Sequence, residues 1–168
     1  MRKPGVQSAD NGFFGWHFHA PYDTSEVKTV AVFFKSNVFR RDLEKMLTEA
    51  VIKEIHLRTP YRVVANHLEA DSLLTATITS DNKNLIVEAP TNLPRELNAS
   101  INIQANWTHN PPTDIEAKRT PTIIAETINF IPEVGETAVS GYNHVIQSLA
   151  KQVVDMMEQP WFRPEDLQ

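Results

Sequence analysis

Between residues 95 and 109 the chain alternates apolar and polar positions almost without a break. Leu97, Ala99, Ile101, Ile103, Ala105 and Trp107 share one parity, and Asn98, Ser100, Asn102, Gln104, Asn106 and Thr108 share the other. A period of two puts successive side chains on opposite sides of a strand, so this run predicts a sheet with one apolar and one polar face. The polar set consists of amides and hydroxyls.

A helical period frames that strand. Phe39, Leu43, Leu47, Ala50, Val51 and Ile55 recur at spacings of three and four, which makes one apolar stripe. Asn37 stands where it can cap the helix, and acidic residues fill the early turns. Thr59-Pro60 ends it, because proline cannot continue the hydrogen-bond ladder and restricts the residue before it. A second helix is predicted over 134–159, with Ala138, Tyr142, Val145, Ile146, Leu149, Val153 and Met156 as its buried stripe and Pro160 as its stop.

Strands are predicted over 27–34, 61–64, 71–80, 85–89, 95–109 and 120–131, with a turn at Asp81-Asn82-Lys83-Asn84 and a proline-containing connection over 109–119. Two amphipathic helices and a one-faced sheet solve each other's burial problem. The expected fold class is therefore α/β (α+β): a two-layer sandwich, with a mostly antiparallel sheet of about four strands packed on two helices. Residues 1–12 read as a flexible leader, 13–162 as a single domain and 163–168 as a tail. The dense segment FFGWHFHAPY (13–22) is expected either to lie against the domain or to form an exposed apolar patch.

Composition narrows the function. An apolar share of 41% and a charged share of 22% are ordinary for a globular chain. A net charge of −5 and the lack of any basic run argue against a general nucleic-acid binder. With no cysteine, thiolate nucleophiles, disulfides and cysteine zinc sites are excluded within the chain. No stretch is apolar for the twenty or so residues that a spanning helix needs.

Candidate chemistry is sparse. His17 and His19 alternate inside the aromatic segment, while His56, His67, His109 and His144 are scattered; packing or surface placement is the expected role, and no metal or cofactor is expected. The carboxylates of the first helix, Asp42, Glu44, Glu49 and Glu54, read as a solvated face carrying pairs four residues apart. Ser140 and Ser148 lack the glycine-framed elbow of a serine hydrolase. Lys83, Arg95, Lys118 and Arg119 are the candidate contacts for an anionic lipid or sugar phosphate, set against a reading as dispersed surface charge. Trp161 and Phe162, after Pro160, are expected to fold back on the core.

Two longer runs carry a resemblance. VKTVAVFFKSNVFRRDLEKMLTEAVIKEIHLRTPYRVV (27–64), followed by EADSLLTATITS (69–80), resembles the opening of the LptE family of lipopolysaccharide-assembly lipoproteins, in its planctomycete-type branch. PEVGETAVSGYNHVIQSLAKQVVDMMEQPW (132–161) resembles that family's terminal helix. Phe33 stands where the family has proline, and Lys35-Ser36-Asn37 replaces its usual tripeptide. The family's signal peptide and lipid-bearing cysteine have no counterpart here; removal of the signal segment is the expected reason, and a soluble paralogue with a changed role is the alternative.

The resemblance implies a protein without bond-breaking chemistry, lipid-anchored at the periplasmic face of the outer membrane. Its implied partners are an LptD-like β-barrel and lipopolysaccharide. In that setting Asn102, Gln104 and Asn106 become the candidate partner-facing residues, since an amide-rich face suits a wet, polar barrel lumen. The alternative is a small periplasmic binding module for an acidic glycolipid or a cell-envelope glycan.

Overall fold

The computed structural model of the protein describes residues 22, 24–88, 94–130 and 138–161, excepting the side chains at 41, 84–88, 94–96, 130 and 138. The leader at 1–12, His17 and His19, Phe162 with its expected place on the core, and the tail at 163–168 lie outside the described residues.

The elements run β1 (Thr29–Ser36), α1 (Arg41–Arg58), β2 (Arg62–Val63), a one-turn 3-10 helix (His67–Glu69), β3 (Ser72–Glu88), β4 (Pro94–His109), α2 (Asp114–Lys118), β5 (Thr122–Phe130) and α3 (Ala138–Met156). They build the expected sheet-on-helix sandwich, with a sheet of five strands in the order β2-β1-β3-β4-β5. The sheet is mixed: β1 runs parallel to both β2 and β3, and β3, β4 and β5 form an antiparallel meander.

Helix α1 starts later than the sequence suggests. Its N-cap is Arg40, in extended conformation and without a side-chain cap, while Asn37 spends its backbone N–H on the Ile78 carbonyl at 3.0 Å. Phe39 therefore leaves the apolar stripe and stands fully exposed ahead of the helix. The stop is as expected. Thr59 turns extended before Pro60, and both its N–H (2.9 Å) and its hydroxyl (2.8 Å) donate to the Ile55 carbonyl.

The turn expected at 81–84 is absent. β3 passes straight through those residues because β4 is long enough to keep pairing with them, as Asn82 with Ser100 and Lys83 with Ala99. A register shift between Ile78 and Ser80 inserts one extra residue into β3. Side-chain parity reverses across such a bulge. Ile78 faces the helices opposite Ile103, and so does Asp81, opposite Ile101.

The core lies between the sheet and the α1–α3 pair. Leu43, Leu47, Val51 and Ile55 of α1, Val145, Leu149 and Val153 of α3, and Ile101, Ile103 and Ala105 of β4 are all fully buried. Each buried Leu, Ile or Val contributes roughly 1.5–3 kcal/mol relative to exposure. The first strand is fastened to the third by Asp71. Its carboxylate accepts the N–H of Lys28 (3.0 Å), the N–H of Thr29 (2.9 Å) and the Thr29 hydroxyl (2.8 Å). Those donors, the Lys28 N–H foremost, hold the Asp71 carboxyl below its ordinary value.

At the end of the sheet where β4 finishes, an aromatic group closes the core. Tyr22 meets Tyr61 edge-on at 5.9 Å, Tyr61 packs on Trp107 at 5.7 Å, and Trp107 lies against Trp161 at 3.8 Å. Trp161 thus folds back on the core as expected, and Tyr22 shows that the end of the 13–22 segment is laid against the domain.

Candidate interaction face

The side of the sheet away from the helices is built in rows that the strand register defines. Thr75 pairs with Asn106; Thr77 with Gln104 and Ile123; Ser80 with Asn102 and Ala125; Asn82 with Ser100 and Thr127. Their neighbours Leu74, Ile103, Ala105, Ile101 and Ile124 are buried beneath the helices, so parity places these rows outward. Gln104, Ile123, Ala125, Thr127 and Thr75 are exposed, and Asn102 and Asn106 are half-buried.

No charged side chain occurs in these rows, although 22% of the chain is charged. A surface of this kind keeps its hydrogen-bonding capacity while avoiding the large desolvation cost of an ion. Part of that capacity is used locally. The Thr75 hydroxyl donates to the Asn106 carbonyl at 3.4 Å, and the Thr79 hydroxyl donates to the Asn102 carbonyl at 3.2 Å. Toward β1 the face changes character: Phe33, in register with Thr75, lies edge-on to His67 at 5.7 Å, Leu68 is largely exposed, and Lys35, exposed and in register with Thr77, brings in a charge.

Two polar clusters brace this face at its ends. At one end Asp81, turned toward the helices by the bulge, accepts the Tyr142 hydroxyl at 2.8 Å and an Arg40 N–H at 3.4 Å. The Arg40 guanidinium also lies over the Tyr142 ring, 4.5 Å from its centroid. Burial, and then the hydrogen bond to Asp81, push the Tyr142 phenol up to about 12. A shallow cleft lined by Ser36, Val38, Phe39, Arg40, Asp42 and Glu44 adjoins this cluster.

At the other end Glu116 is buried under α2. Thr113-Asp114-Ile115-Glu116 forms a full capping box: the Thr113 hydroxyl accepts the Glu116 N–H, and the Glu116 carboxylate accepts the Thr113 N–H at 2.9 Å. The same carboxylate meets His109 Nδ1 at 2.8 Å, and Glu26 stands 3.6 Å from His109 Nε2. Burial opposes ionisation of Glu116, but the Thr113 N–H, His109 and the Thr113 hydroxyl outweigh it and hold the carboxyl below its usual value. Trp161 stacks on the His109 ring at 4.1 Å.

The candidate cations do not gather into one site. Lys83 lies on β3 eleven positions from Ser72, the partner of His109, which is roughly 35 Å at about 3.3 Å per residue. Lys118 and Arg119 end α2, on the His109 side. Arg119 donates to the Trp161 carbonyl at 2.6 Å. Arg95 lies on β4 with its side chain outside the described set. Among the described residues, no three His, Asp or Glu side chains stand together as a metal site. No described helix is long and apolar enough to cross a membrane.

The sequence carried a signal for one cluster that the reading passed over: Thr-x-x-Glu at 113–116 is a capping-box pattern. The Asp81–Arg40–Tyr142 cluster has no such signal, because it depends on the bulge.

No family model matches the chain, and no curated protein matches it. Solved structures share its fold. The uncharacterized lipoprotein B of Nitrosomonas europaea superposes with a TM-score of 0.52 at 11% identity, over 80% of this chain and 87% of that one. The rare lipoprotein B of Shewanella oneidensis gives 0.50 at 15% identity, over 76% and 92%. A hypothetical protein of Chlamydia trachomatis gives 0.50 at 11% identity, over 79% and 96%. At such identities the likeness establishes a common fold: a mixed α/β architecture with a sheet packed against helices.

Proposed function

We propose that this chain is a non-enzymatic outer-membrane lipoprotein module of lipopolysaccharide assembly, which presents the outer face of its sheet to an LptD-like β-barrel. The observation that carries this reading is the set of uncharged rows from Thr75–Asn106 to Asn82–Ser100–Thr127 across β3, β4 and β5, centred on Asn102, Gln104 and Asn106. The lumen of an outer-membrane barrel is polar and wet. Amides and hydroxyls enter such a lumen at small desolvation cost and pair with its groups directly or through water. The fold likeness to two proteins named lipoprotein B and the resemblance over 27–64, 69–80 and 132–161 support the same reading.

The test is purification of the tagged, membrane-anchored protein from gently solubilised outer membranes. The reading expects a large barrel protein in stoichiometric amount, together with lipopolysaccharide. Recovery of the chain alone, at the hydrodynamic size of a free protein, would overturn it.

A further inference from the structure

His109 closes β4 with both of its ring nitrogens turned to carboxylates. Its backbone is fixed: it pairs with Ser72, and the next residue, Asn110, donates its N–H to the Asp71 carbonyl at 2.8 Å. Nδ1 lies 2.8 Å from Glu116 Oε1, on α2, and Nε2 lies 3.6 Å from Glu26 Oε2, in the segment ahead of β1. Trp161, which follows α3, stacks on the ring. One imidazole thus joins segments that are remote in the chain.

The two sides of the ring are not equivalent. Despite its burial, the Glu116 carboxyl is held ionised by the Thr113 N–H, by His109 and by the Thr113 hydroxyl. An ionised carboxylate only accepts, so Nδ1 carries a proton. In a neutral ring Nε2 is then a bare acceptor. It is buried without a hydrogen-bond partner, and the charged group it faces, Glu26, is an acceptor too. An orphaned buried acceptor of this kind is destabilising. A second proton reverses the relation. Nε2 becomes a donor aimed at Glu26, whose side chain is 73% exposed and has room to close the gap. Trp161 then lies against a cation, which its ring face attracts.

The other charged groups of the surrounding segments are engaged or turned to solvent. Asp71 accepts from Lys28 and Thr29, and Arg119 donates to the Trp161 carbonyl. Lys28, Asp114 and Lys118 are exposed.

We propose that His109 is a proton-operated clasp: a proton on Nε2 draws in Glu26 and grips Trp161, fastening the segment ahead of β1 and the turn after α3 to the end of β4. Histidine is the side chain suited to change charge between about pH 5 and 8. The clasp closes as pH falls through that range and opens as it rises. It lies at the aromatic end of the sheet and acts whatever the outer face binds.

The test uses the full chain with nitrogen-15 in its histidines. Long-range proton–nitrogen NMR at pH 8.5 should show His109 protonated at Nδ1 with Nε2 bare, and at pH 5.5 protonated at both. Urea unfolding of wild type, E26Q, H109Q and the double variant gives the Glu26–His109 coupling. At pH 5.5 it should stabilise the fold roughly two- to fivefold, the range of an exposed ion pair, and at pH 8.5 it should vanish. If H109Q does not fold, the ratio of wild type to E26Q at the two pH values decides alone. An Nε2–H tautomer at pH 8.5, or a Glu26 effect equal at both pH values, would overturn the proposal.

Discussion

Removing a single oxygen at Tyr142 tests whether the bulge in β3 places a working electrostatic joint inside the fold. Asp81 has a side chain only 8% exposed, and its shortest described bond is the 2.8 Å contact with the Tyr142 hydroxyl. Its other partner, Arg40, is 3.4 Å away with a side chain 43% exposed, so that pair is screened and contributes roughly 0–1 kcal/mol. Y142F leaves the ring under the Arg40 guanidinium and removes only the donor. A hydrogen bond to a charged, buried acceptor is worth about 1.5–3 kcal/mol, and a domain of this size loses roughly 2–4 °C per kcal/mol. Urea unfolding at neutral pH should therefore show Y142F less stable by about 2 kcal/mol at an unchanged m value. In a D81A background the same substitution should cost little, giving a coupling energy of about 1–2 kcal/mol. A Y142F loss below about 0.5 kcal/mol, or strict additivity with D81A, would refute the assignment of this contact as a joint.

Two further outcomes follow from the core and the phenols. Ile103 and Gln104 are chain neighbours on opposite faces: I103A should cost about 2–5 kcal/mol and Q104A less than about 0.5 kcal/mol by chemical denaturation. Similar losses at both positions would contradict the one-sided sheet. Tyr22 is likewise pushed up to about 12, by burial first and then by its hydrogen bond to Glu158. A phenol whose folded value lies above its ordinary 10 gives stability that is fully present below that value and is lost as pH rises toward about 12. The urea midpoint should fall across that alkaline window, and Y22F and Y142F should each flatten the fall; parallel profiles for wild type and both variants would contradict this.

Much of the architecture could be read from spacing. The alternation over β4 put Ile101, Ile103, Ala105 and Trp107 beneath the helices, where they are buried, and the i, i+3, i+4 stripes of α1 and α3 face them. Local chemistry also located the Thr59-Pro60 stop. Other features depend on distant partners and escaped. Asp81-Asn82-Lys83-Asn84 has turn composition, but its backbone groups are taken by Ala99 and Ser100, so β3 continues. Which neighbours flank β1 is decided by crossover packing, and no residue of β1 announces two parallel partners. Asp81 joined the helix side through one inserted residue, which an alternation pattern cannot foresee. The polar outward residues Asn102, Gln104 and Asn106 were legible as a face; the charge-free extent of that face across β3 and β5 emerged only with the register.

Charging the outer side of β4 asks whether a barrel partner reads this face. Lysine introduced at Asn102, Gln104 and Asn106 together leaves the buried side of β4 untouched while adding three charges to the outer side. Capture of the barrel partner from outer membranes should be lost, with the thermal unfolding midpoint of the isolated triple variant within a few degrees of wild type. Undiminished capture by a well-folded triple variant would contradict the account, because the partner would then be reading some other part of the molecule.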